Sequence, residues 1–212
     1  MTTPSSQPLY IRTKKGTAAN VSGKRTVARL LSAARAEFTK YGYAGMTMRG
    51  VAKTAGVSLG NLLYYFQNKE DLFHSLIEHT LSDYVTRLDP LRAKYSGDDD
   101  ARFLAVMRFL IKDVKKSSTR QFLYQFWAVS VENKFVDKCR KRYEEFLLDR
   151  MSRMVQSVND SLQPEELRQR AFILCGTIKG TAVMLGNGSK RASELKDIES
   201  LFANDALAFA TR

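Results

Sequence analysis

An all-α fold is what this sequence predicts, and three observations carry it. Apolar residues recur at three- and four-residue steps along most of the chain, with no sustained strand-like alternation. Gly42, Gly56, Gly97 and Gly186 fall at the ends of periodic segments, where helices stop. Thr47, Ser58, Asn68 and a run of aspartates stand where the next helix would start and can cap its free N–H groups. A hydrophobic fraction of 44% and a charged fraction of 26% are those of an ordinary globular protein, and 212 residues suffice for one or two domains.

Taken in order, residues 1–23 are rich in Ser, Thr, Pro and Gly and carry Arg12, Lys14 and Lys15. They read as a flexible basic arm, with or without a role. From Lys24 to Tyr41, Val27, Leu30, Leu31, Ala34, Phe38 and Tyr41 mark a first helix that Gly42 ends. Thr47 caps a second, with Val51, Ala52 and Ala55 inward, and Gly56 closes it. Ser58 caps a third, which runs to about Tyr65. A fourth begins near Lys69, capped by Asn68 or a neighbour. It runs to about Leu88, with a break or kink expected at Pro90.

The turn Gly97-Asp98-Asp99-Asp100 supplies an acidic cap for the next helix, a better account of three aspartates than a metal site. Phe103, Val106, Met107 and Leu110 form one stripe, and Phe122, Phe126 and Val129 another. Phe135, Cys139, Tyr143, Phe146, Leu147 and Met151 form a third. Pro164 opens a helix to about Leu185, ended by Gly186-Asn187-Gly188. Ser193 is expected to cap the last, with Leu195, Ile198, Phe202, Ala206 and Phe209 inward. There is no internal repeat.

The net charge of +12 is unevenly spread. Residues 1–73 hold eleven Lys and Arg against three Asp and Glu, and residues 74–212 hold twenty-three against nineteen. A basic first third suits a polyanion, whether nucleic acid or an acidic membrane surface. Cys139 and Cys175 are the only cysteines and form no CxxC, which points to buried thiols in a reducing compartment. No stretch reads as a signal peptide, and none approaches the roughly 18 apolar residues of a membrane span. A cytoplasmic protein without membrane contact is expected.

The residues TMRGVAKTAGVSLGNLLYYF meet the requirements of a helix-turn-helix one by one. Ala52 is small where the helices cross, Gly56 permits the positive φ of a sharp turn, and Val57 fills the space behind it. Val51, Leu62 and Tyr65 complete a small core, with Phe66 inward as well. Leu59, Gly60, Asn61, Leu63 and Tyr64 then face away from the domain. A helix displayed in this way lies in the major groove of DNA. Asn61 can pair with adenine, Leu63 can touch a thymine methyl, and Tyr64 can reach a base or phosphate. Gly60 lets the backbone come close. Thr47 and Ser58 at helix starts, with Arg49, Lys53 and Lys69, suit phosphates, which set position and affinity rather than sequence. Packing on the next helix is the competing account of Leu63 and Tyr64.

The run GYAGMTMRGVAKTAGVSLGNLLYYFQNKEDLF strongly resembles the TetR family of bacterial transcriptional regulators. The resemblance covers roughly residues 24–73. It rests on Gly42-Tyr43, Thr47, Val51-Ala52, Ala55-Gly56-Val57-Ser58, Gly60, Leu62, Phe66 and Lys69. Many members carry Tyr, a residue and His where this chain has Leu63, Tyr64 and Tyr65. The usual aromatic phosphate contact therefore passes to Tyr64 or is absent.

The resemblance implies a three-helix DNA-binding domain at 24–73. After it comes a helical bundle at 74–212 that dimerises and often binds a small molecule. Gly176, Gly180 and Ala182, among Leu174, Ile178 and Leu185, could let a helix of a second copy approach, if they are not buried within one subunit. For an effector, aromatic residues and Met interleave with polar groups: Phe103, Met107, Phe122, Gln125, Phe126, Trp127, Ser130, Asn133 and Tyr143. Core packing explains the aromatics equally directly, whereas Gln125 and Asn133 flank Trp127 as amides that need partners.

No cofactor is expected, and no metal: His74 and His79 are five apart and do not share a helix face. No Ser-His-Asp set, phosphate-binding loop or glycine-rich dinucleotide turn is present, which argues against an enzyme. The expectation is a dimeric repressor released from a palindromic operator by a small molecule. The alternative is an effector-independent DNA-binding protein, acting in chromosome organisation or constitutive regulation.

Overall fold

The computed structural model describes residues 21–186 and 193–212, and among them are nine helices and no strand. Nearly all of the basic arm, and Asn187 and Gly188, lie outside the described residues. The helices are α1 (Val21–Gly45), α2 (Met48–Thr54), α3 (Leu59–Tyr65) and α4 (Lys69–Lys94). They continue with α5 (Asp99–Val114), α6 (Ser117–Glu132), α7 (Lys134–Val158), α8 (Pro164–Leu185) and α9 (Ile198–Thr211).

The caps follow the local chemistry. Asn68 Oδ1 accepts from Asp71 N at 2.8 Å to open α4, and Asp98 Oδ1 accepts from Ala101 N at 2.8 Å to open α5. Helical geometry in α1 breaks at Gly42 (φ 67°, ψ −177°), and one further turn carries Tyr43 inward. A Cβ at Gly42 would stand 3.0 Å from Gln125 Oε1 on α6. Gly42→Ala therefore combines a left-handed backbone with a tight contact. It is expected to lower stability by about 1–2 kcal/mol, read as a shift in the urea midpoint at unchanged slope.

Two expectations need correction. Helix α4 does not stop near Leu88 but runs through Pro90 to Lys94. A proline one turn from the end forfeits a single bond, to the Thr86 carbonyl, and exposed backbone there can turn to water. The last helix begins at Ile198, after Asp197, and Leu195 is exposed rather than inward. Its buried line is Ala203, Ala206 and Ala210, with Phe202 and Phe209 half-buried at the flanks. The small residues let α9 lie close on α5, so the bulky rings are displaced sideways.

The chain divides into two compact units. Among the described residues, the first holds those up to Arg87 together with Gln125–Cys139; the second holds Leu88–Tyr124 and those from Arg140 on. In the first, Leu30, Leu31, Ala34 and Phe38 of α1 are fully buried with Met46, Leu72 and Phe73. Phe73 is the hub of its aromatic cluster, with Phe38 and Tyr43 at 5.0 Å, Phe126 at 6.0 Å and Phe135 at 6.3 Å.

The second unit has its own core, where Phe103, Val106 and Met107 of α5 meet Met151 and Val155 of α7. Leu167, Ala171 and Leu174 of α8 and the alanines of α9 complete it. Both cysteines are buried and neither is in a disulfide, and burial pushes the Cys175 thiol up to about 11. No helix among the described residues is long and apolar enough to cross a membrane.

Candidate nucleic-acid interface

The site is built on α2 and α3, each seven residues long. Thr47 Oγ1 accepts from Gly50 N at 3.0 Å, and Ser58 Oγ accepts from Asn61 N at 3.1 Å, so each helix starts on a hydroxyl cap. Between them Gly56 takes φ +64°. Gly56 N donates to Lys53 O and Val57 N to Ala52 O, both at 3.0 Å, the paired closing bonds of a left-handed glycine cap. That turn sets the angle at which α3 leaves α2.

Packing then decides which side of α3 is displayed. Val51 and Ala52 of α2 and Leu62 and Phe66 at α3 are 0–3% exposed and tie the pair to the core. Gly60 and Asn61 are exposed, Leu63 is 38% exposed and Tyr64 52%. Leu59 is half-buried and only partly on the open side. Tyr65, expected to complete the core, is also half-buried. Its ring meets Tyr64 edge-on at 5.0 Å and so restrains the exposed phenol. Leu63 and Tyr64 are thus only partly covered by the rest of the fold.

The cations divide. Arg49 and Lys53 on α2 are exposed. Lys69 is half-buried and turned inward: its Nζ donates to Tyr43 O at 2.8 Å and lies 4.4 Å from the Tyr43 ring centroid. An ammonium has three donors, so one contact does not exhaust it. Burial first, then the nearby Glu70 and Cys139, raises the Tyr43 phenol to about 12, so it stays neutral beneath that ammonium. The structure also leaves Lys24, Arg25 and Arg29 of α1 exposed in the same unit. These three escape a residue-by-residue reading, and only the charge imbalance of residues 1–73 signals them.

The effector candidates divide between the two units. Phe103, Met107, Phe122 and Tyr143 belong to the second unit; Gln125, Phe126, Trp127, Ser130 and Asn133 belong to the first. Two of the polar ones have local hydrogen-bond partners. Asn133 Oδ1 accepts from Val136 N at 3.0 Å and opens α7, while Ser130 Oγ donates to Trp127 O at 2.7 Å. Gln125 lies against Gly42. No group of three or more His, Cys, Asp or Glu is placed to hold a metal among the described residues.

Comparison with known proteins addresses the same segment. A family profile described as bacterial regulatory proteins, tetR family, matches residues 30–76, which span the α2–turn–α3 geometry above. Over residues 30–76 the chain is thus similar to the TetR family. The HTH-type transcriptional regulator RutR of Escherichia coli is 36% identical over 76 residues, 36% of this chain and 35% of RutR. The match thus spans about a third of that relative's length. The HTH-type transcriptional regulator TtgR of Pseudomonas putida is 24% identical over 178 residues, covering 79% of this chain and 68% of TtgR. Among solved structures, the transcriptional regulator FadR of Bacillus subtilis in complex with stearoyl-CoA superposes with a TM-score of 0.65 at 18% identity. That alignment covers 87% of this chain and 97% of FadR, so the shared helical fold extends well beyond residues 30–76.

Proposed function

We propose that this chain is a homodimeric transcriptional repressor of the TetR family that binds a palindromic DNA operator and releases it when a small molecule binds the bundle. The observation that carries the reading is the exposed Asn61–Leu63–Tyr64 face on a helix whose opposite side, Leu62 and Phe66, is wholly buried. Such a face brings a bidentate amide, an apolar contact and a phenol to base edges, with Arg49 and Lys53 available for phosphates.

Dimerisation draws support from α8. Phe172, Ile173, Val183 and Met184 are 51–68% exposed, and Leu201 of α9 is 64% exposed. A Cβ built on Gly176 or Gly180 would meet nothing within 4 Å, so these glycines are not buried inside the subunit. An apolar, small-residue stripe of this kind calls for a partner, and two copies read two half-sites about 34–36 Å apart. An effector site in the second unit would draw on Phe103, Met107, Phe122 and Tyr143. All four are buried, so an effector enters there by repacking them. Differential binding of about 1–3 kcal/mol between two subunit arrangements lowers operator affinity 5- to 150-fold. The stearoyl-CoA held by FadR gives a bulky precedent for ligand entry into this fold.

The test is selection of duplexes from a random library by the purified chain at moderate salt, followed by titration of variants on the selected site. Asn61→Ala and Tyr64→Ala are each expected to weaken specific binding by about 1–3 kcal/mol and to relax choice at one position. Arg49→Ala and Lys53→Ala weaken all duplexes alike and reduce the salt slope by about one. If folded Asn61→Ala/Tyr64→Ala protein keeps both affinity and sequence choice, the reading is wrong.

A further inference from the structure

Three helices of the second unit bring four arginines to one cavity that neither the DNA face nor the aromatic candidates use. Arg92 comes from α4, Arg102 from α5, and Arg150 and Arg153 from α7; Met154 and Ser157 complete the lining of about 240 Å³. No acidic side chain is part of that lining. The space is smaller than the roughly 300–1,000 Å³ of a pocket that encloses a whole ligand, and it suits a compact head group.

The arginines are incompletely satisfied where they stand. Arg92 is 3.5 Å from Asp89, Arg153 is 2.8 Å from Asp149, and Arg102 pairs with Asp99. Each is a one-turn pair on a single helix with substantial exposure, the kind that contributes little. A guanidinium has five donors and a carboxylate engages at most two, so donors remain for a ligand. Arg150 differs: no carboxylate pairs with it among the described residues, and its guanidinium lies 5.2 Å from the Phe146 ring centroid. Burial, then Arg92 and Arg153, lower its affinity for the proton, while Asp149 and Asp89 oppose them. Four guanidinium groups held together from three directions cost energy unless an anion comes between them.

We infer that this cavity is a binding site for a phosphorylated small molecule carrying two or more negative charges. Phosphate is favoured over carboxylate by geometry. A carboxylate is planar and is satisfied by one or two arginine forks, whereas phosphoryl oxygens point several ways and accept from donors on three helices at once. The inference is independent of the DNA reading, since none of the six lining residues belongs to the first unit.

The experiment is calorimetric titration of the purified full chain with inorganic pyrophosphate at fixed ionic strength, with citrate and a short random duplex as parallel titrants. The expected result is saturable binding of one pyrophosphate per chain. Arg150→Gln and, separately, Arg102→Gln weaken it about tenfold or more, as loss of a charged hydrogen bond requires. Arg168→Gln, outside the cavity, leaves it unchanged. Unaltered melting of the ligand-free variants shows that they are folded, and Arg102→Gln keeps the test valid if Arg150→Gln unfolds. Non-saturable pyrophosphate binding, or equal affinity in the wild type and both variants, overturns the inference. Citrate binding tenfold tighter than pyrophosphate overturns the phosphate assignment. Variants that weaken duplex but not pyrophosphate assign the arginines to nucleic acid instead.

Discussion

Phe73→Ala is expected to destabilise the first unit by about 3–5 kcal/mol, the range for deleting a buried ring and leaving a cavity behind. Phe73 is 0% exposed and meets rings from α1, from the turn after Gly42, from α6 and from α7. Few substitutions remove so many contacts between segments distant in sequence. Trp127, the single tryptophan, lies in this unit, so its fluorescence reports the first unit's unfolding while circular dichroism reports both. Urea titration of Phe73→Ala should move the fluorescence midpoint down well before most of the helical signal is lost. Phe73→Leu, which keeps most of the volume, should recover more than half of the loss. A fluorescence midpoint within about 0.5 kcal/mol of wild type would show that the ring cluster is not what holds this unit together.

Arg120→Ala should have a comparable effect on the second unit, for a different reason. Arg120 is 1% exposed, the largest wholly buried side chain among the described residues. Its Nε donates to Gly186 O at 2.6 Å, and its Nη1 donates to Val114 O at 3.1 Å and to Lys115 O. These carbonyls lie at the ends of α8 and α5, where the helix itself offers no donor. One guanidinium thus closes two helix C-termini from the first turn of α6. Nearby, Asp113 accepts from Lys116 at 2.9 Å and from Thr119 at 3.3 Å, which fixes the α5–α6 corner.

Truncation leaves buried carbonyls without donors, each costing about 1–3 kcal/mol, and adds a cavity. About 3–5 kcal/mol in total is expected from these two effects, read as a fall in the circular-dichroism midpoint with the Trp127 signal less affected. Arg120→Met separates the two contributions, because it restores volume and restores no donor. If Arg120→Met is as stable as wild type, the hydrogen bonds contribute nothing net and the volume alone matters.

The sequence by itself determined the helices of residues 24–73, their order and the burial of Leu62 and Phe66 beside an exposed Asn61. Those depend on short-range chemistry: hydroxyl caps at Thr47 and Ser58, positive φ at Gly42 and Gly56, and apolar spacing that leaves Leu62 inward and Asn61 outward. Boundaries set by competition are less legible. Pro90 reads as a stop, although one lost bond near a helix end is a small local cost. The inward line of α9 reads as its largest residues, although close approach to α5 selects alanine. Only the tertiary structure decided that Gln125–Cys139 packs with the first unit, that Asn133 caps a helix, and that Lys69 turns back to Tyr43. It alone gathered four arginines from positions 92 to 153 around one cavity. Periodicity records which side of a helix is buried and says nothing of which distant helix buries it, because that partner is chosen by packing across the whole chain.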